Sequence, residues 1–153
     1  MISRIRRSSD SGSALVELGM LLPLTIALLV GAMDLGRVFY SAMAVTHAAG
    51  AGVHYGARST ARSQDTTGMV AVATAAAADI SGFSATAARS CTCWSASTST
   101  ETAMGSCVAT CTSPSVTRIY VTVTGTRTFR TLVNYPGIPD VITLNRSAKM
   151  RAK

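Results

Sequence analysis

The chain has 153 residues and a formal net charge of +7, although only 14% of its residues are charged. Beyond an N-terminal Arg cluster, the basic residues are scattered singly and are not interleaved with aromatic side chains, which argues against nucleic acid as a partner. About 40 residues form the leader and an apolar segment, so about 110 remain, which is enough for one small domain.

A long apolar run dominates the first part of the chain. Between Asp10 and Asp34 the only charged residue is Glu17. Since a helix rises ~1.5 Å per residue, ~20 residues cross a hydrocarbon core about 30 Å thick. We therefore predict a transmembrane helix over residues 13–40. A carboxylate inside such a helix is costly, so we expect Glu17 to be paired, protonated or functional.

Basic residues in front of this run predict its orientation. Arg4, Arg6 and Arg7 lie in a short leader, residues 1–12. Basic residues that flank a first membrane helix keep that end in the cytoplasm. The sequence therefore predicts a single-pass membrane protein whose C-terminal part is exported.

Three fates of the leader remain open at this point. Cleavage between Gly12 and Ser13 would make Glu17 the fifth residue of the mature chain, and the new amine and this carboxylate would stabilise each other across neighbouring helices. Alternatively, the helix stays uncleaved and anchors a periplasmic scaffold or binding protein. In a third interpretation, the small-x-small stretch 42–44 is a secretory signal-peptide site that releases a small disulfide domain starting near Val45.

Several segments of the N-terminal part carry a family resemblance. The TadE-like pseudopilins of tight-adherence (Tad/Flp) type IV pili resemble this chain in Val16-Glu17-Leu18, Leu21-Leu22-Pro23, the stretch 31–40 and the stretch 42–58. The resemblance implies a cut after Gly12 by prepilin peptidase and an assembly role for Glu17. It also implies a minor pilin-like subunit that contributes to pilus assembly, surface adhesion or secretion.

The resemblance further implies the partners and the location of the protein. The implied partners are other pilin or pseudopilin subunits, prepilin peptidase, the inner-membrane pilus assembly platform and membrane lipid. The implied location is the bacterial inner membrane, with the N-terminus in the cytoplasm and the C-terminal domain in the periplasm. Within a pilus, that domain would lie outside the cell.

The helix is predicted to change character along its length. Proline removes a helical hydrogen bond, and membrane helices tolerate it by bending, so we predict a helix kink at Pro23. Residues 41–62 are predicted to continue the helix as an amphipathic segment. Residues at a spacing of three to four form its apolar face, namely Val38, Ala42, Val45, Ala49 and Val53.

Residues 63–153 are predicted to form the exported domain. A second helix is expected after a cap at Asp65, Thr66 or Thr67, and it extends to Ile80. Alternating apolar residues predict strands over 116–124, 127–133 and 141–150, with a turn or bulge at Gly125. The expected fold class is α+β and pilin-like, with a long membrane-spanning helix, a short helix and a small antiparallel sheet.

Residues 84–115 are predicted to form a Ser/Thr-rich loop, which crosslinks would hold in place because it contains few core-forming residues. The loop contains four cysteines: Cys91, Cys93, Cys107 and Cys111. A bridge between the first two would be strained, so we expect each of them to pair with one of the other two, in an order left open. The spacing also suits zinc, but no His is adjacent. Trp94 is either a surface contact residue or packed on a disulfide.

No catalytic set emerges from the sequence. There is no G-x-S-x-G motif and no phosphate-binding glycine loop, and the acidic residues of the exported part share no spacing. His47 and His54 fall on one helical face without a third ligand in view, which favours a solvated face over a metal site. We therefore expect no enzymatic activity, no cofactor and no metal.

Overall fold

The computed structural model of the protein describes residues 11–134, 137 and 139–153. The predicted leader, with Arg4, Arg6 and Arg7, lies outside the described residues except for its last two positions. The elements in chain order are α1 (Ser11–Ala57), a 3-10 turn (Arg62–Gln64), α2 (Thr66–Ala76), β1 (Phe83–Ser95), β2 (Thr100–Met104), β3 (Val116–Arg130) and β4 (Val141–Arg151). They confirm an α+β fold with a long apolar N-terminal helix, a short helix and an antiparallel sheet.

The described chain divides into two compact units, and the boundary falls inside α1, between Arg37 and Val38. We call residues 11–37 the N-terminal segment and residues 38–153 the C-terminal domain. Helix α1 is one continuous element of 47 residues, rich in Leu, Ala and Met, which favour helix. It ends at Ala57, before the end of the segment predicted to continue it, and residues 62–64 form a separate 3-10 turn.

Helix α2 begins as the sequence predicts and ends earlier. The side chain of Asp65 accepts a hydrogen bond from the backbone N–H of Gly68 at 2.8 Å, which is the N-cap arrangement. The helix ends at Ala76 rather than Ile80, because short-range bonds replace the helical pattern, including one from Ile80 N–H to the carbonyl of Ala77 at 2.9 Å. Gly82, with a φ of 71°, then turns the chain into β1.

The four strands form one antiparallel sheet in the order β2-β1-β3-β4. Two of them lie where the sequence predicts a loop, since β2 and all of β1 except its first residue, Phe83, fall inside residues 84–115. The alternating exposure along β1 explains the difference: Ala85 and Ala87 are partly covered, whereas Ser84 and Thr86 are exposed. Small alanines bury little apolar area, so a reading based on hydrophobicity misses a strand that packs against a helix.

Gly125 lies in the middle of a continuous β3 and does not end a strand. It is buried and pairs with Ala85 on β1 and Arg146 on β4. A Cβ placed there would come within 2.8 Å of the Phe83 ring and 3.0 Å of Cγ1 of Val45 on α1. The predicted turn or bulge at Gly125 is therefore wrong, because the register of β3 runs unbroken through it, and the glycine instead allows the helix to approach the sheet.

The core of the C-terminal domain joins both helices to the sheet. It consists of six fully buried residues: Ala49, Val53, Met69, Ala73, Val121 and Val123. Val45, from the predicted apolar face of α1, is also fully buried. A Cβ at Gly52 would lie 2.7 Å from the carbonyl oxygen of Met69, so α1 and α2 pack almost backbone to backbone. Small residues thus set the distances within this core.

Candidate functional site

The N-terminal segment is a bare apolar helix. Its large hydrophobic side chains are mostly exposed, with 76% of Met20 and 69% of Leu29 accessible. The helix contains a window with a mean hydropathy of 2.1, none of which is buried within the protein. The helix is long and apolar enough to cross a membrane, which is compatible with a single-pass anchor.

Gly12, Ser13 and Glu17 lie in the first turns of α1. None of the described residues comes within 4 Å of a Cβ placed at Gly12. Glu17 is exposed, between Val16 and Leu18, which are each 59% accessible. Within the part of the chain that the structure describes, no hydrogen bond or ion pair reaches its carboxylate. A compensating charge would therefore have to come from outside these residues.

Pro23 lies inside α1, and the helix continues on both sides of it. Because proline has no N–H, the carbonyl four residues earlier loses its helical partner. Two residues after Pro23, the hydroxyl of Thr25 donates a hydrogen bond to the carbonyl of Leu22 at 2.9 Å. The kink at this position stays a prediction.

The cysteines form two disulfides, Cys91–Cys107 and Cys93–Cys111. This is one of the two connectivities that the sequence leaves open. The bridges attach the segment between β2 and β3 to the adjacent strand β1. Since all four thiols are used, none of the cysteines is free to bind zinc.

Trp94 lies on β1 directly after Cys93 and is half-buried. The guanidinium of Arg118 stacks over its ring, 4.0 Å from the centroid. Arg118 also donates a hydrogen bond to Glu101 at 2.9 Å, and the hydroxyl of Tyr120 donates to the same carboxylate oxygen at 2.7 Å. The amine of Lys149 lies 4.6 Å from the centre of the Tyr120 ring. We call these five residues the outer-face cluster.

The cluster joins all four strands and is not apparent from the sequence. Its members are far apart in the chain, and only the strand register brings them to one face. The hydrogen bonds from Tyr120 and then from Arg118 hold the pKa of Glu101 below its usual range. Arg118 stacks over the Trp94 ring, while both a surface-contact role for Trp94 and its packing on a disulfide stay predictions.

A second polar contact secures the end of α1. The hydroxyl of Tyr55 donates a hydrogen bond to Asp65 at 2.8 Å, and Arg62 lies over the Tyr55 ring at 5.0 Å. The N–H of Gly68, followed by the Tyr55 hydroxyl, lowers the pKa of Asp65. The pKa of Tyr55 is raised, chiefly by its hydrogen bond to Asp65. The contact fixes the turn between α1 and α2.

Among the described residues, no group of three His, Cys, Asp or Glu side chains is arranged to hold a metal ion. His47 and His54 are both exposed on α1. One polar contact of the C-terminal domain joins α1 to β3, through the hydrogen bond of 2.7 Å that Arg127 donates to Ser41.

Comparison with known proteins identifies one part of the chain. No curated protein and no solved structure matches the chain. A family model described as TadE-like protein matches residues 12–54, which include Gly12, Glu17 and most of α1. This family suggests a protein associated with a Tad pilus. Over residues 12–54 the chain is therefore similar to TadE-like proteins, which confirms the resemblance suspected from the pattern around Glu17.

Proposed function

We propose that the protein is a minor pilin-like subunit, a pseudopilin, of a Tad/Flp-type pilus. Prepilin peptidase cuts it after Gly12, and its helix over residues 13–40 holds it in the inner membrane until it joins the pilus. Its work is assembly and, through the exported domain, surface adhesion or secretion, with no enzymatic activity. The observation that carries the proposal is the TadE-like match over a helix whose apolar side chains are exposed.

Glu17 gives the proposal its mechanism. Its carboxylate is the single charge between Asp10 and Asp34 and has no partner in the described chain. In a low-dielectric environment such a charge is costly unless an opposite charge compensates it. Cleavage after Gly12 creates an amine at Ser13, and the amine of a neighbouring subunit is then the natural partner. This pairing would set the register of one helix against the next.

Two features support export of the C-terminal domain. Its four cysteines are all paired, and disulfides persist in oxidising compartments such as the periplasm. Ser41 and Val45 are buried parts of that domain, and Ser41 accepts the bond from Arg127. A secretory cut after residue 44 would remove Ser41, so the domain is better preserved by a cut at Gly12 or by none.

The mature N-terminus tests the proposal, by intact mass and terminal sequencing of the protein from its native host. We expect a chain that begins at Ser13. A Gly12→Leu variant should remain uncut, whereas Gly19→Leu, at an equally uncrowded glycine of the same helix, should be cut normally. A wild-type chain that keeps Gly12 would make the protein a permanent anchor, and a start near Val45 would make it a secreted disulfide domain.

The second test concerns assembly. Glu17→Gln should be cut and inserted as the wild type is, yet fail to enter pili, because the amide cannot compensate the Ser13 amine. Glu17→Asp, which keeps the charge, should retain part of the incorporation. Pili purified from cells that express each variant give the measurement, and normal incorporation of Glu17→Gln would contradict the mechanism.

A further inference from the structure

The sheet of the C-terminal domain has an outer face, opposite the one on which the helices of the domain pack. The helix-facing side of β3 carries Val121, Val123 and Gly125. Because side chains alternate along a strand, the residues between these three point the other way, together with their register partners on β1 and β4. Most outer-face residues of β1 and β4 are exposed, among them Thr86 and Ser147. The outer face is therefore accessible to a partner.

Hydroxyl groups dominate the outer face. In the strand register, Thr86 pairs with Thr124 and Thr124 pairs with Ser147, so their hydroxyls form one row across the sheet. A hydroxyl group both donates and accepts hydrogen bonds. The face thus suits a partner that itself carries many hydroxyls. Other polar side chains extend the pattern along the same three strands, namely Ser84, Ser90, Thr92, Thr122, Thr126, Thr128, Thr143 and Asn145.

The charge of the outer face is positive. The four strands contain one acidic residue, Glu101, and Arg118 already pairs with it at 2.9 Å. Lys149 and Arg151 are exposed on β4, the latter opposite Tyr120. The Tyr120 ring lies beside the Lys149 amine and helps to hold it in place, which lowers the entropy cost of binding a ligand there. The face therefore favours an anionic partner.

Other occupants fit this face less well. A second copy placed face to face would bring like charges together. Lipid acyl chains need apolar contacts, but the large exposed apolar residues of this face, Val116 and Val141, lie only at its two ends. The phosphates of a nucleic acid accept hydrogen bonds and donate none, so they would leave the acceptor oxygens of the hydroxyls unused. A sugar chain uses donors and acceptors alike and, when it carries carboxylates, also matches the charge.

We propose that the outer face binds an acidic polysaccharide, a chain of sugars that carry carboxylate groups. The carboxylates meet Lys149 and Arg151, which donate charge-assisted hydrogen bonds to them. Sugar hydroxyls bond to the row of Thr86, Thr124 and Ser147. Such a chain would be the partner in surface adhesion, a role that rests on the proposed function, whereas binding itself requires neither cleavage nor assembly.

Binding of purified polymers to the full chain in an uncharged detergent provides the test. Biolayer interferometry measures the affinity for alginate, which carries a carboxylate on each sugar, for neutral dextran and for single-stranded DNA. We expect alginate to bind, and dextran to bind at least ~10-fold more weakly because it lacks the charge-assisted bonds. DNA at equal charge should also bind more weakly than alginate.

Variants of β4 test the role of charge. Lys149→Gln and Arg151→Gln should each weaken alginate binding by ~3–10-fold. Arg146→Gln is the matched control, since Arg146 is exposed on the same strand but pairs with Gly125 and so belongs to the helix-facing side. It should leave the affinity for alginate unchanged.

A variant of β3 tests the role of the hydroxyls. Thr124→Val removes a hydroxyl and keeps the branched shape, so it should weaken alginate binding by ~2–10-fold and leave DNA binding unchanged. Ser147→Ala repeats the test on β4 should Thr124→Val fail to fold, as judged from its urea midpoint.

The inference is overturned if alginate does not bind, if dextran or DNA binds as tightly, if Arg146→Gln weakens binding as much as Arg151→Gln, or if loss of the hydroxyls has no effect. A chain that begins at Ser13 would still support the pilus subunit in each of these cases. Conversely, a chain that keeps Gly12 would contradict cleavage and assembly whether or not alginate binds.

Discussion

The two units of the molecule use hydrophobic residues in opposite ways. In the N-terminal segment, leucines and methionines are exposed along the helix. In the C-terminal domain, the core is built from alanine, valine and one methionine, with glycines where backbones meet. Large apolar residues therefore lie on the surface of the N-terminal segment, whereas small residues form most of the core of the C-terminal domain.

The two units also differ in what stabilises them. The domain has a closely packed core, two disulfides and polar contacts between its elements, so much of its stability comes from within the chain. The N-terminal segment is a helix with exposed apolar side chains, so its stability depends on the surrounding medium. Substitutions in the two units should therefore give different signatures. Of the three comparisons below, taken from the largest expected effect to the smallest, the first and the last test this, and the second compares two positions within the domain.

A matched pair of truncations tests the contrast directly. Met69→Ala should destabilise the domain by ~2–5 kcal/mol, because Met69 is fully buried between α1 and α2 and its removal leaves a cavity. Leu28→Ala, at a 65% exposed position of the segment, should leave unfolding of the domain unchanged. Urea unfolding in detergent, followed by Trp94 fluorescence, measures both. Equal losses in the two variants would mean that the units unfold together.

A pair of glycines on α1 gives the second comparison. Gly52→Ala should cost ~1–3 kcal/mol, because its Cβ would lie 2.7 Å from the carbonyl oxygen of Met69, which is backbone and cannot rotate away. Gly50→Ala has open space around it and should be neutral or stabilising by up to ~1 kcal/mol, as alanine favours helix. The same unfolding assay ranks the two, and a tolerated Gly52→Ala would show that α2 can shift away from α1.

These residues also show how far the sequence could predict the fold. The apolar run, the cap at Asp65 and the alternation near Val121 depend on neighbours in the chain, and each was found from the sequence. The role of Gly125 depends on Val45, 80 positions earlier, so the local preference of glycine for turns and bulges predicted one where the strand in fact continues. The strand β1 was missed because its inward residues are alanines, whose burial matters only next to a close helix.

The candidate sites differ in the same respect, between residues that are close in the sequence and residues that only the fold brings together. Gly12, Ser13 and Glu17 could be proposed from the sequence because their spacing along one helix is itself the pattern, and the family match spans these positions; their roles stay predictions. The outer-face cluster could not be predicted, since Trp94, Glu101 and Lys149 come from three strands and meet only through the register of the sheet. The order of the disulfides likewise depends on how the segment between β2 and β3 lies against β1, which residue spacing alone does not determine.

The smallest expected effect is the acid dependence of the domain, which the segment should not share. The pKa values of Asp65 and Glu101 are lowered in the folded state by hydrogen bonds. Each carboxylate therefore contributes stability that is present above its unfolded pKa and is lost as the pH falls through the lowered value. The loss should begin below a pH of about 4.5, the ordinary value for a glutamate.

Substitutions test whether this acid dependence arises from the hydrogen bonds of Asp65 and Glu101. Asp65→Asn and Glu101→Gln should be less stable than the wild type at neutral pH and lose less on acidification, because neither amide titrates. Asp79→Asn changes an exposed aspartate that has no hydrogen bond to the described residues, and Glu17→Gln changes the segment, so both should keep the wild-type profile. Urea midpoints followed by circular dichroism across the acid range give the comparison. A flattened profile in Glu17→Gln would mean that the segment's carboxylate is coupled to folding of the domain, and the division between the two units would then fail.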